Sequence, residues 1–183
     1  FGTDSTQSYL LDPLSFAVEQ AWKSGIVVVA AVGNDGNTSP LRDPASDPYV
    51  IAVGTVNTNG TVGRGDDSLA SFSNCDWKNS RNADLLAPGV SVLGLRNPGS
   101  YADVNYPSAA VGTRYFKGSG TSQSTAVVSG AAALFLSKFP SATPDQVKAA
   151  LTGTATKLGL VGRLAACEGS GSLNLANAAT LSS

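Results

Sequence analysis

Apolar residues recur at helical spacing directly after Asp12 and Pro13. The residues that share this stripe are Leu14, Ala17, Val18, Ala21 and Trp22. Asp is preferred at the N-cap of a helix, Pro at its first position and Gly just after its end. The pattern therefore predicts an amphipathic helix that begins at Pro13 and ends before Gly25.

Two unbroken apolar runs rich in β-branched residues follow this helix, at residues 26–32 and 49–56. Such a run is typical of a strand that is buried on both faces of a parallel sheet. Residues 85–87 and 90–95 are shorter strand candidates, and the polar residues 97–112 between the later elements predict a surface excursion. Helix followed by buried strand predicts the α/β class.

The last third of the chain has helical patterns. Residues 121–139 are apolar nearly all the way round, which predicts a helix in the middle of the fold rather than on its surface. A capping box begins at Thr143, with proline at the first helical position, and predicts a second helix that ends at Gly153. Residues 175–181 predict a short final helix. Because neither a repeat nor a linker marks a boundary, we expect residues 1–183 to form part of one domain.

Composition narrows the possible classes of function. The chain has 183 residues, of which 42% are hydrophobic and 14% are charged, which is typical of a folded domain. A net charge of −1 provides no basic surface for nucleic acid or for an anionic membrane. The longest apolar stretch, residues 126–136, is much shorter than the roughly 20 residues of a membrane span. We therefore expect no nucleic-acid partner and no membrane partner.

Two residue types are absent from the sequence. Since it contains no Met, we expect that Phe1 is not a translation start and that any signal or pro-segment lies outside these residues. The chain also contains no His, which excludes a His-ligated metal site and an internal Ser–His or Cys–His pair. We assign no metal-ligating residue and expect no cofactor.

Cys75 and Cys167 are the two cysteines of the chain. Two interpretations stay open on sequence alone: two unrelated thiols, or one disulfide that closes a long loop. The second interpretation fits a secreted protein.

The mostly small residues 118–125 span a glycine-bearing turn and the beginning of the predicted buried helix. Ser122 lies in the first turn of that helix, where backbone N–H groups have no intrahelical partner and the helix dipole is positive. Those groups suit an oxyanion formed when a hydroxyl attacks a carbonyl. Serine is also an ordinary helix cap, and Ser124 occupies the position of the second glycine in the elbow of α/β-hydrolases, which argues against an esterase of that class.

Asn34 follows the first predicted strand at the edge where α/β folds place groups that contact ligands. Its side-chain amide is a suitable donor to the same oxyanion. The sequence Asn34-Asp35-Gly36 also favours a turn, so neither Asn34 nor Ser122 establishes a site by itself.

Together, six segments in order resemble the subtilisin-like serine peptidases. They are residues 28–36, residues 49–56, A-S-F-S-N at 70–74, D-x-x-A-P-G at 84–89, G-T-S at 120–122 and S-G-A-A-A-L at 129–134. The resemblance covers most of the chain and implies the C-terminal portion of the catalytic domain. The fold that it implies is α/β, with a mostly parallel sheet in three layers.

The resemblance also implies a serine endopeptidase with assigned residues. Ser122 would be the nucleophile, and Asn34 would stabilise the oxyanion together with the backbone N–H of Ser122. Ala31, Val32 and Gly33 would form one wall of the S1 pocket, which holds the substrate residue before the scissile bond. The residues that we expect to contact substrate are Phe1, Gly2, Ala31, Val32, Gly33 and Thr121.

The chain departs from the family in ways that shape these expectations. The histidine and aspartate of the family precede the equivalent of Phe1, so we expect a separate N-terminal portion to supply them and this chain alone to be nearly inactive. Half a sheet would also expose an apolar edge, so we expect the isolated chain to be marginally stable or to associate. A non-catalytic scaffold or binding module is the alternative from another class.

The indications of substrate specificity, calcium binding and cellular location are weaker. A loose alignment places Arg42 near the base of the S1 pocket, where it would narrow the pocket or favour an acidic side chain, whereas Asp35 at the rim would oppose that preference. Structural calcium is common in the family, and no carboxylate cluster identifies a site here. The resemblance implies a secreted or cell-surface protein that acts on peptides or proteins.

Overall fold

The computed structural model describes residues 2–4, 7–76 and 81–181. The α-helices are α1 Pro13–Lys23, α2 Tyr101–Asn105, α3 Thr121–Lys138, α4 Pro144–Gly153 and α5 Leu175–Ala178. The strands are β1 Val29–Ala31, β2 Ile51–Asn57, β3 Ser68–Leu69, β4 Leu85–Pro88, β5 Val92–Leu95, β6 Ala110–Val111 and β7 Tyr115–Gly118. Short 3₁₀ helices lie at Arg64–Asp66, Pro107–Ala109 and Gly162–Glu168.

Helix α1 begins and ends at the residues that its sequence predicts. The Asp12 carboxylate accepts hydrogen bonds from two backbone N–H groups of the first turn, each at 2.9 Å. Gly25 follows the helix with a φ of 90°, and the next N–H donates back to the carbonyl of Ala21. This Schellman ending requires a left-handed residue, which glycine adopts without steric cost.

The central sheet is mostly parallel. Strands β1 and β4 both pair in parallel with β2, and the two-residue β3 pairs with it in antiparallel orientation. Strand β2 is almost wholly buried, which confirms the prediction for residues 49–56. The prediction for residues 26–32 is too long. Strand β2 begins opposite Val29, so the residues before Val29 have no paired residue in β2, and Ile26 is 58% exposed.

Alternate residues of β2 pack on opposite faces of the sheet, as the twofold period of a strand requires. Ile51 and Val53 face the core that α3 covers, together with Val128 and Phe135. The other face forms a second core, which contains Ala30, Val32, Val50, Ala52, Val56 and Leu86. This second core is covered by Val18 of α1 and by non-helical segments that carry Leu41 and Leu158. Both faces of the sheet are therefore packed.

Helix α3 is buried on one face only, so the prediction that it is surrounded by the fold is wrong for the described residues. Its inner face packs on β1, β2 and β4. The buried residues of this inner face are Thr121, Ser124, Val128, Ala131, Ala132 and Phe135. Its outer face is exposed and comprises Ser122, Ala126, Ser129, Gly130, Ala133 and Leu134. An apolar pattern shows that a surface can be buried, and it does not show which chain segment covers it.

The excursion after the central sheet is more regular than its sequence predicts. Strands β5 and β6 flank β7 in a three-stranded antiparallel sheet, and α2 lies between β5 and β6 in the chain. The Arg96 side chain donates to Asp103 of α2 at 2.5 Å, and this hydrogen bond lowers the pKa of Asp103. Strand β7, which was not predicted, leads directly to the turn before Ser122.

A disulfide joins Cys75 to Cys167, with a Cα–Cα distance of 5.4 Å, and decides between the two interpretations of these cysteines. It connects the segment after β3 to the last 3₁₀ helix. In the described part of the chain, none of the helices combines the length and apolarity that crossing a membrane would require. The same residues contain no group of three or more Cys, Asp or Glu side chains arranged to hold a metal ion.

Candidate active site

The first turn of α3 is bonded to the carboxyl ends of two strands. The Ser124 hydroxyl donates to the carbonyl of Ala87 at 2.9 Å and accepts from the Thr55 hydroxyl at 2.8 Å. Both hydroxyls are completely buried, where unpaired polar groups would be costly. The N–H of Gly120 also donates to the carbonyl of Gly89 at 2.9 Å. These bonds fix the position of the residue between them, Ser122.

Gly89 allows this close contact between β4 and α3. A methyl group at this position would collide with the Ser124 hydroxyl and lie 2.8 Å from the carbonyl oxygen of Gly120. The D-x-x-A-P-G segment thus ends in the residue that lets the helix approach the sheet. Its first residue, Asp84, accepts hydrogen bonds from the N–H of Ala52 at 2.7 Å and from Arg81 at 2.7 Å and 3.0 Å.

Ser122 is exposed at the amino end of α3, on the outer face of the helix. Neither its hydroxyl nor its backbone N–H has a hydrogen-bond partner among the described residues. The helix has 18 residues, so the positive end of a full helix dipole lies at this N–H. A hydroxyl next to an unpaired N–H at that position suits attack on a carbonyl whose oxygen becomes negative.

The side chain of Asn34 is oriented by Thr121. Its carbonyl oxygen accepts from the backbone N–H of Thr121 at 2.8 Å and from the Thr121 hydroxyl at 3.0 Å. The Asn34 side-chain N–H₂ group therefore points elsewhere, and it donates to no acceptor in the described part of the chain. Thr121 is itself completely buried, so the orientation is well fixed.

A cavity of about 240 Å³ connects the two residues. It is lined by Gly2, Ala31, Gly33, Asn34, Asp35, Arg42, Thr121 and Ser122. The structure thus brings together Ser122, Asn34 and four of the six residues that the resemblance assigns to substrate contact. Val32 is placed elsewhere, because its side chain is completely buried in the second core. Phe1 lies outside the described residues.

Asn74 holds the turn that follows Asn34 and was not predicted as part of the site. Its side-chain oxygen accepts from the N–H of Asp35 at 2.5 Å, and its amide donates to the Asp35 carboxylate at 2.9 Å. Its backbone N–H donates to the carbonyl of Gly33 at 3.1 Å. The polar A-S-F-S-N segment ends in this residue. The sequence shows only an asparagine at the end of this segment, and its structural role becomes apparent from its burial.

Two relatives are similar to the chain over most of its length. Serine protease AprX from Bacillus subtilis (strain 168) is 44% identical over 140 residues, which are 75% of this chain and 32% of the relative. Subtilisin E from the same strain is 40% identical over 149 residues, which are 80% of this chain and 32% of the relative. The chain therefore spans about a third of the length of these relatives.

A solved structure and a family model lead to the same conclusion. Fervidolysin from Fervidobacterium pennivorans, a keratinolytic enzyme related to subtilisin, superimposes with a TM-score of 0.67 at 32% identity, over 88% of this chain and 23% of that chain. This similarity confirms the predicted α/β, subtilisin-like fold. The family model described as the subtilase family matches residues 1–171. The chain thus belongs to the subtilase family.

Proposed function

We propose that this chain is the nucleophile-bearing portion of a serine endopeptidase. The observation that carries the proposal is the pair of unpaired donors beside one exposed hydroxyl. The Asn34 amide and the Ser122 N–H both lack acceptors among the described residues, and both groups belong to residues that line the cavity next to the Ser122 hydroxyl. Donors placed in advance where charge develops are the largest single contribution in many acyl-transfer enzymes.

The reaction proceeds through an acyl-enzyme. The Ser122 oxygen attacks the carbonyl carbon of the peptide bond, its proton passes to a base, and the carbonyl oxygen becomes an oxyanion held by Asn34 and the Ser122 N–H. Collapse of this intermediate breaks the C–N bond, and the base returns the proton to the leaving amine. Water then attacks the ester by the same route and releases Ser122.

The base and its orienting acid come from a segment outside these residues. The sequence contains no histidine, and the curated relatives are about three times as long as the matched region. Among the described residues β1 pairs only with β2, so its outer edge is free to accept another strand. This chain alone is nearly inactive, because removal of the catalytic histidine costs subtilisin about 10⁶ in turnover.

The substrate is an extended peptide or protein segment outside the cell. Gly2 lies in the cavity wall, and the next residue, Thr3, forms a short antiparallel bridge with Asp43. The segment is therefore held in place beside the cavity, where the substrate pairs with it as an added strand. The disulfide between Cys75 and Cys167 supports an oxidising compartment, such as the cell exterior. Catalysis requires no metal or cofactor from this chain.

The test uses the whole protein that contains these residues together with the segment that supplies the acid and base. Wild type and Ser122→Ala are incubated with a fluorophosphonate probe, and the labelled peptide is identified by mass spectrometry. The proposal expects labelling of Ser122 and cleavage of peptide substrates, both abolished in the variant. An unlabelled, correctly folded wild type that cleaves nothing would favour a non-catalytic scaffold.

A further inference from the structure

The side chain of Arg42 lies along the cavity beside Ser122. Its aliphatic stem packs on two glycine backbones of the cavity wall. A methyl group on Gly33 would lie 2.7 Å from Cγ of Arg42, and one on Gly2 would lie 3.1 Å from its Cβ. Gly33 also has a φ of 112°, a conformation that side chains rarely adopt. The space beside these two glycines is therefore occupied by the stem of Arg42, and beside Gly33 also by the Asn74 amide, and is not available to substrate.

The charged end of Arg42 is bound to Asp35. Its Nη2 lies 2.7 Å from Oδ1 of Asp35, and its Nε donates to Oδ2 at 2.8 Å, so the pair is bidentate. Arg42 also contacts the carboxylate of Asp4. Asp35 is in turn fixed by Asn74, whose side chain makes two hydrogen bonds to it and which is 2% exposed. The guanidinium is therefore held in place by the carboxylates of Asp35 and Asp4.

This cavity is the one that suits the substrate side chain before the scissile bond. It includes Asn34, so a carbonyl oxygen bound there places the neighbouring side chain within it. A second cavity that reaches Ser122 has a volume of about 180 Å³ and is lined by Val18, Val28, Val29 and Pro44 among others. This second cavity does not include Asn34. A substrate whose carbonyl oxygen is held by the Asn34 amide therefore does not place the side chain before the scissile bond in the second cavity.

We propose that the Arg42–Asp35 pair is the specificity element of this peptidase and restricts the S1 pocket to small, uncharged side chains. The inference rests on the proposed function. An aromatic side chain that reaches the base of the cavity must displace Arg42 and break its two charge-assisted hydrogen bonds with Asp35. An acidic substrate side chain finds no unpaired guanidinium, because that of Arg42 is already bound to Asp35. A basic substrate side chain finds no unpaired carboxylate on Asp35 for the same reason. One ion pair thus excludes both large side chains and charged side chains from the pocket.

The experiment measures kcat/KM of the whole protein on four peptides that differ only in the residue before the scissile bond: Ala, Phe, Gln or Glu. Wild type is expected to prefer Ala over Phe and Gln over Glu. Arg42→Ala is expected to raise the Phe-to-Ala ratio by about 10–200-fold, the range for discrimination by size in a pocket. Asp35→Asn keeps the shape of the side chain and removes its charge, so it is expected to raise the Glu-to-Gln ratio about tenfold.

Arg64→Ala is the matched control, because Arg64 is an exposed arginine of the 3₁₀ helix Arg64–Asp66 and lies outside the cavity lining. It is expected to leave both ratios unchanged. Wild type that cleaves the Phe peptide as well as the Ala peptide would overturn this inference and leave the proposed function intact. Unchanged ratios in both Arg42→Ala and Asp35→Asn would also overturn it. Absence of Ser122-dependent cleavage of all four peptides would overturn the proposed function, and this inference with it.

Discussion

The two faces of α3 have similar apolar composition and very different surroundings. The inner face packs on three strands and carries Ser124, whose hydroxyl is bonded to β2 and β4. The outer face carries Ser122 and exposes Leu134, which is 60% accessible, whereas the adjacent Phe135 is 8% accessible. The inner face therefore holds the helix in place, and the outer face presents the hydroxyl.

Within one helix, the residues that stabilise the fold thus lie on one face and the proposed nucleophile lies on the other. Substitutions on the inner face should change the free energy of unfolding, and substitution of Ser122 should change catalysis alone. The exposure of the outer face applies to the described residues, because the proposed N-terminal portion would cover this face in the whole protein. The following measurements test each part of the contrast, and they use the whole protein unless the isolated chain is named.

Ser122→Ala should have the largest effect. Loss of the nucleophile is expected to lower kcat by about 10⁶, as the equivalent change does in subtilisin. Because the Ser122 hydroxyl has no partner among the described residues, the midpoint of urea unfolding should stay the same. Peptide hydrolysis and urea denaturation are measured on the same preparation. A large loss of stability would contradict the separation of the two faces.

Phe135→Ala should have the largest effect on stability. Truncation of this buried ring, whose centroid lies 4.7 Å from that of Phe139, leaves a cavity and should lower the free energy of unfolding by about 3–5 kcal/mol. The residual folded enzyme should keep its kcat. Chemical denaturation followed by tryptophan fluorescence gives the first value, and kinetics at a permissive temperature gives the second.

Asn34→Ala should lower kcat by about 10²–10³, the magnitude for removal of one oxyanion donor. KM should change little, because the donor acts on the charge that develops in the transition state. Asn34→Asp is the matched variant, since it keeps the acceptor for Thr121 and removes the donor. An Asp variant with wild-type kcat would show that the Asn34 amide is not an oxyanion donor.

Leu134→Ala tests whether the outer face becomes covered. In the isolated chain the substitution should change the free energy of unfolding by less than about 0.5 kcal/mol, because Leu134 is exposed. In the whole protein it should cost about 2–4 kcal/mol, because the proposed N-terminal portion buries this side chain. Equal, small effects in both would mean that the outer face remains in solvent.

Ser124→Ala should have the smallest effect. The Thr55 hydroxyl and the Ala87 carbonyl would each lose a buried partner, at a cost of about 1–3 kcal/mol in stability. Since these bonds position the first turn of α3, kcat should also fall, by less than in Asn34→Ala. Ser124→Thr keeps the hydroxyl and serves as the control for hydrogen bonding.

Local features could be predicted well from the sequence. The cap at Asp12, the Schellman ending at Gly25 and the capping box at Thr143 are each decided by a few adjacent residues, and all three are present. The buried strand at residues 49–56 was predicted for a similar reason, since an unbroken β-branched run has few other stable environments.

Features that depend on distant partners could not be predicted in the same way. The length of β1 is decided by where β2 begins, and the burial of α3 by which segments pack on it. At the site, the resemblance indicated Ser122 and Asn34. The resemblance also assigned Val32 to the pocket wall, but its side chain points into the second core, because neighbouring residues of an extended segment face opposite ways.

The disulfide has a consequence for the proposed peptidase, which would be exposed to its own activity. Cys75 and Cys167 are 92 residues apart, and the exposed excursion that contains α2 lies between them. A single self-inflicted cut in that excursion leaves both pieces covalently joined. Cys75 also directly follows Asn74, which holds the turn beside Asn34. In the nicked molecule the piece that carries Asn34 thus stays joined to the piece that carries Ser122. A cut at this surface therefore need not abolish activity.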